Sequence, residues 1–290
     1  MRPLAPGSKR PPYNPAMVEL TRTVRFCLNG PVNGDQAPPR HNGFAAWPPM
    51  RGLGRFYQMH VRCRGEVDPV TGYFINIKQI DQAVRATGLP FLERIIQESP
   101  DTSLIAMGTL MRRLVDSLQP VLDQSVVQVR LDLTPFYNLT IGNRDMDHVI
   151  VRQQFDFSAA HRLHVDELSD EENREVFGKC NNPSGHGHNY RLEVALRAPV
   201  RDDGQVLNVE DIDALVDDVV IEKLDHKNLN VDVPQFEGLN PSVENIAKVI
   251  YEMLTPVIGD ELSLEEVSVW ETEKTMCTYS GPGAKVVAQA

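Results

Sequence analysis

Two stretches of this chain are written twice, and that repetition limits what it can fold into. Residues 51–65 (RGLGRFYQMHVRCRG) lie without a gap over residues 184–198 (SGHGHNYRLEVALRA). Residues 72–81 (GYFINIKQID) lie over 204–213 (GQVLNVEDID), so nine of 25 positions are identical, where average composition gives about one or two. Solenoid repeats run to a few tens of residues, so an offset of about 133 is the length of a domain. The chain therefore reads as two copies of one fold joined near Gly142 to His148. The domains expected are a proline-rich tail at 1–20, a first copy at 21–144 and a second at 145–290.

Local patterns give each copy the same kind of elements. In the first, residues 22–28 and 55–65 alternate as strands, while 76–87 place Ile77, Ile80 and Val84 at helical spacing. A second helix is expected at 103–118, from Leu104, Met107, Leu110, Met111, Leu114 and Leu118, before a strand at 125–134. Prolines 31, 38, 39, 48 and 49 make Asn29 to Met50 a loop. In the second copy, 149–161 and 189–196 read as strands, and SDEE at Ser169 is a capping box. Helices are expected at 208–222 and 242–256, ahead of a last strand LEEVSVWETE. Each copy is thus antiparallel α+β.

Composition excludes several classes. Four cysteines in 290 residues are too sparse for a disulfide scaffold. No run of about 18 apolar residues exists, and the five prolines within residues 1–15 leave no apolar leader, so a cytoplasmic protein without a membrane partner is expected. A net charge of −11 argues against nucleic acid as the main partner. It leaves a small phosphate ligand open, because one local basic cluster can hold it.

The chemistry concentrates in the second copy. His186 and His188 stand two apart at the start of a strand, so both imidazoles share a face with Gly187 between them. His161 ends the preceding strand and would complete a three-histidine zinc site with an open fourth position, the arrangement of a catalytic metal. Cys180, in the polar loop GKCNNPSG, is either a fourth ligand or a free base whose thiolate a nearby cation favours. Asp225 and His226 pair a carboxylate with an imidazole, either to tune a general acid or base or as a surface pair. Glu271 shares a face with Val269, which points an inward carboxylate at either an internal arginine or the guanidine-like edge of a heterocycle. Cys27, Cys63 and Cys277 lie on apolar strands.

The segments FDFSAAHRL, LSDEENREVFGKCNNPSGHGHNY, LDHKNLNVDVPQF, PSVENIA and VWETE together resemble the 6-pyruvoyl-tetrahydropterin synthase family over residues 149–281. The resemblance implies two tandem tunnelling-fold domains, each a four-stranded antiparallel sheet with two helices on one face, and a homo-oligomer. A trimer of two-domain chains is preferred over six chains, since open sheet edges need partners. It further implies Zn²⁺ on His161, His186 and His188, Cys180 as base, Asp225 and His226 as its relay, and Glu271, Ser242 and Glu244 on the pterin. The implied reaction converts 7,8-dihydroneopterin triphosphate to 6-pyruvoyl-tetrahydropterin with loss of triphosphate and no redox cofactor. Five residues separate Cys180 from His186, as in the pyruvoyl branch; the 6-carboxy-tetrahydropterin synthases usually have three. That branch, and a non-catalytic zinc- or pterin-binding protein, are the alternatives. Val243 stands where the family commonly has threonine.

The first copy lacks this set. Leu53 and Arg55 fall at the positions of His186 and His188, Gly30 or a neighbour at His161, and Leu131 or Leu133 at Glu271. It is expected to persist for assembly alone.

Overall fold

The computed structural model describes residues 16–29, 42–99, 106–201 and 209–283. These fall into two compact units. One holds the residues before Pro100 with Met111–Leu131 and Ile141–Asp145; the other holds those within Asp101–Leu110, within Asp132–Thr140 and from Met146 onward.

In the first unit β1 (Met17–Leu28) and β2 (Arg55–Glu66) pair antiparallel over their whole length, from Met17 opposite Glu66 to Leu28 opposite Arg55. Val24, Phe26, Met59 and Val61 alternate onto the buried face, as a strand of period two requires. Asn76 caps α1 (Ile77–Ala83), its side chain accepting from the Lys78 amide while Gln79 returns a bond to the Asn76 amide. The helix then passes through a π-helical stretch, Val84–Gly88, into α2 (Leu89–Glu98). Two further elements follow, α3 (Met107–Leu118) and β3 (Val126–Thr134).

In chain order the remaining elements are β4 (Tyr137–Gly142), β5 (Asp145–His161), α4 (Asp170–Phe177), β6 (His186–Pro199), α5 (Val209–Val216), a π-helical stretch Asp217–Ile221, α6 (Glu222–Leu224), β7 (Lys227–Asn228), α7 (Val243–Leu254), β8 (Ser263–Thr272) and β9 (Thr275–Tyr279). β5 runs antiparallel to β6 from His148 opposite Pro199 to His161 opposite His186, and β6 runs antiparallel to β8, with a bulge at Ala195/Leu196. β9 closes on β8, and the two-residue β7 lies parallel to β5 at Ala159 and Ala160. α7 packs on β8 and β9. It buries Val243, Ile246, Ala247, Val249, Ile250 and Leu254, while Tyr190, Leu192, Val194, Val267 and Val269 are buried on the strands.

Several expectations need correction. Among the described residues the strand order is β1-β2-β3-β4-β5-β6-β8-β9 with β7 on β5, nine strands where sheets of four were expected. The reason lies at Gly142 to His148. The turn is confined to two residues, Asn143 and Arg144, and what reads as a linker is the end of β4 and the start of β5. The tail was expected to reach residue 20, yet β1 begins at Met17, because the last proline of that stretch is Pro15 and nothing beyond it opposes extended pairing. Residues 1–15 lie outside the described residues, as do residues 30–41 of the expected loop, residues 103–105 of the expected helix, and 204–208 of the second repeat. The helix expected to end at 87 continues to Glu98, with Pro90 tolerated in the first turn of α2. β4 and β9 were not expected.

The two units share details that composition does not demand. Phe26 stands opposite Tyr57, and Phe157 opposite Tyr190, with ring centroids 6.1 and 5.0 Å apart. Arg22 holds the Asp81 carboxylate through two bonds of 3.0 and 2.9 Å, and Gln153 donates to Asp213. A π-helical stretch follows each aspartate, beginning at Val84 after Asp81 and at Asp217 after Asp213.

Leu192 is fully enclosed beneath the histidine end of β6, so Leu192→Ala is expected to lower stability by about 3 kcal/mol, read as a lower urea midpoint at unchanged slope.

Candidate metal and active site

The register of β5 and β6 sets the site. His161 lies directly opposite His186, and Ala159 opposite His188, so the three imidazoles stand on one face with only a methyl group across from His188. Before His186 the chain turns through Gly185 at φ +70°, where a Cβ would come within 3.1 Å of the His161 carbonyl oxygen. Glycine is needed there for both reasons.

One ring nitrogen from each histidine falls within 4.8 Å of the other two. The Nε2 atoms of His161 and His186 are 3.2 Å apart. Nδ1 of His161 is 2.8 Å from the Pro241 carbonyl oxygen, which can only accept, so Nδ1 carries the proton and Nε2 presents a lone pair to the cluster. Nε2 of His188 and Nδ1 of His186 are buried with no hydrogen-bond partner among the described residues. Burial holds both His161 and His188 below the ordinary imidazole pKa, against the opposing pull of the Pro241 carbonyl on His161 and of Glu271 on both. Three convergent imidazoles, two of them with a buried ring nitrogen that lacks a hydrogen-bond partner among the described residues, are a donor set that fits a divalent transition metal.

Glu271 comes into the same place from β8. Its Oε1 lies 3.5 Å from Nε2 of His161 and 3.7 Å from Nε2 of His188, with the side chain 18 % exposed. The inward direction agrees with alternation against Val269. Its protein partners are the imidazoles of His161 and His188, not the arginine weighed from sequence.

Cys180 sits half-buried on a 3-10 turn, Gly178–Asn181. Its carbonyl accepts from the Leu163 amide at 2.8 Å, and Asn181 donates back to the Leu163 carbonyl at 2.7 Å, so the turn is stapled just beyond His161. Burial, and then the Glu271 carboxylate, push the Cys180 thiol above its ordinary pKa. The protein's own charges thus oppose thiolate formation, and the lowering expected from sequence requires a cation at the imidazoles.

Asp225 and His226 form the expected pair, with Oδ2 2.7 Å from Nδ1. The other Asp225 oxygen accepts from the Ser158 amide at 2.7 Å, and that bond, followed by His226, holds the carboxyl below its usual range. His226 adopts φ 54° with its side chain 83 % exposed, and lines a cleft of about 480 Å³ with His188, Asn189 and Lys227. No hydrogen bond or ion pair among the described residues joins this pair to Cys180. Ser242 caps α7, accepting from the Asn245 amide at 3.4 Å, and its hydroxyl also holds Glu244 below the usual carboxylate pKa. Glu244 is exposed, and Val243 between them is buried. The sequence analysis missed the Pro241 carbonyl and Asn181. The first follows from the NPS entry to α7, but a backbone acceptor has no signal of its own.

Two consequences are measurable. An imidazole whose pKa is depressed on folding disfavours the folded state only when protonated, so metal-free protein should lose stability as pH falls below about 6.5, and His161→Gln should flatten that slope in pH-dependent urea melts. In equilibrium dialysis, one cobalt(II) ion should bind per chain. Replacing His186 or His188 with alanine should weaken that binding by more than about 100-fold, beyond the loss typical of outer-shell changes.

Comparison with known proteins gives this geometry a context. The family described as 6-pyruvoyl tetrahydropterin synthase matches residues 150–282. The 6-pyruvoyl tetrahydrobiopterin synthase of Drosophila melanogaster is 45 % identical over 127 residues, 43 % of this chain and 76 % of that protein. The Homo sapiens protein of the same name is 41 % identical over 132 residues, 45 % of this chain and 90 % of its own length. The solved structure of Caenorhabditis elegans 6-pyruvoyl tetrahydropterin synthase is 40 % identical, with a TM-score of 0.44, covering 47 % of this chain and 96 % of that one.

Proposed function

Because this chain belongs to the 6-pyruvoyl tetrahydropterin synthase family, we propose that its second unit is a zinc-dependent 6-pyruvoyl-tetrahydropterin synthase acting on 7,8-dihydroneopterin triphosphate. The observation that carries this is the convergence of His161, His186 and His188 with Glu271 beside them. Zinc bound there would supply Lewis-acid polarisation of substrate oxygens, making the adjacent C–H acidic. Cys180, held on its stapled turn, is the group to take that proton, and Asp225 with His226 carries protons onward. Glu271 and Glu244 are the acceptors available to an amino-pyrimidine edge, with Ser242 setting the start of α7. As carbon-bound protons move along the side chain, the triphosphate leaves with the electrons of the broken C–O bond, so no external oxidant is needed. The reaction is thus a lyase reaction.

The first unit is proposed to be a duplicated copy of the tunnelling fold that has lost this chemistry. The paired Phe26–Tyr57 and Phe157–Tyr190 registers, and the matching Asp81 and Asp213 positions, support that reading. Opposite Leu28 stands Arg55, where His188 faces Ala159 in the second unit. Homo-oligomerisation, a trimer of chains, is proposed from the family resemblance and the open edges of β1 and β9.

Incubating zinc-loaded protein with 7,8-dihydroneopterin triphosphate should yield the pyruvoyl product by mass spectrometry, and Cys180→Ala should lower the rate by at least about 100-fold, the scale of a lost general base. A carboxylated pterin would place the chain in the carboxy branch, and no turnover with bound zinc would make it a binding protein.

A further inference from the structure

Tyr190 follows His188 by two residues on the imidazole face of β6. Its ring is 0 % exposed, stacks on Phe157 at 5.0 Å, and meets the rings of His188 and His161 at 5.6 and 6.2 Å. The hydroxyl is buried and has no hydrogen-bond partner among the described residues. A buried, unpartnered O–H destabilises the protein that carries it, whereas phenylalanine would fill the same space without that cost. Placement of a phenol there is explained if the hydroxyl has a partner in another state of the site.

The surroundings say which state. The imidazole rings that Tyr190 meets, those of His161 and His188, are the two that Glu271 also approaches, so the tyrosine borders the imidazole cluster. A phenol hydroxyl can donate a hydrogen bond. The corresponding Tyr57, opposite Phe26, keeps partial exposure and is not among the orphaned groups, so water can satisfy it. The difference between the two tyrosines is enclosure, and enclosure coincides with the histidine site.

We propose that the Tyr190 hydroxyl is a ligand-binding donor of this site, giving a hydrogen bond to an acceptor atom of the pterin held beside His161, His186 and His188. This rests on the pterin reading above. A pterin offers acceptors on both its ring edge and its hydroxylated side chain, and binding would give the Tyr190 hydroxyl the partner it lacks among the described residues.

The test is Tyr190→Phe, which removes one oxygen and keeps the ring. Titration calorimetry of zinc-loaded protein with neopterin should show binding about three- to tenfold weaker than wild type, the scale of one neutral hydrogen bond. Thermal unfolding without metal or ligand should rise by about 2–4 °C in the variant, because a buried unmet donor is gone. A structural tyrosine would give the reverse, a lower unfolding temperature with unchanged neopterin affinity, and would overturn the inference. Equal binding by both proteins also overturns it while leaving the pterin reading intact; absence of neopterin binding by wild type removes the pterin reading and the inference together.

Discussion

The pairing of His161 with His186 across β5 and β6 decides on which face three imidazoles stand, because side chains alternate and a slip of one residue would turn half of them to the other side. Everything else at the site is arranged around that register. Gly185 permits the turn before His186, Ala159 leaves room opposite His188, and the Pro241 carbonyl fixes the proton of His161 away from the cluster. Glu271 then brings a carboxylate to within 3.7 Å of two of the rings from a third strand. Burial lowers the pKa of His161 and His188, and burial likewise raises that of the Cys180 thiol, which a cation at the imidazoles would lower.

The histidine triad was legible because strand alternation converts a His-x-His spacing directly into a shared face, and because His161 ends the neighbouring strand. Glu271 was legible as an inward carboxylate by the same alternation. Its partners were not, since which side chain stands across a sheet depends on the order of strands, and the sequence does not state that β8 joins β6. The Ser169 and Ser242 caps were readable from local patterns. β4 and β9 were not, because β4 is buried on both faces and lacks alternation, while β9 is a five-residue edge strand. The stretch from Gly142 to His148 was legible as a turn, which lies at Asn143 and Arg144, but glycine and asparagine do not say whether a turn ends a domain or a hairpin.

On the proposed duplication, the fold of the first unit would have outlasted its chemistry. The inter-element contacts that hold a helix to the sheet persist, with Gln153–Asp213 in one unit answered by Arg22–Asp81 in the other. The metal-ligand positions do not, and where Asp225 and His226 follow α6, the first unit runs on as α2 to Glu98. A continuous helix cannot present an exposed imidazole at φ 54°, so loss of that pair goes with loss of the turn that displayed it.

The central proposal is that three imidazoles bind the metal and Cys180 remains free of it. X-ray absorption at the zinc edge of the purified, zinc-loaded protein tests this directly. A first shell of nitrogen and oxygen at about 2.0–2.1 Å with no sulfur is predicted; a zinc–sulfur distance of about 2.3 Å would make Cys180 a ligand and contradict its role as the base.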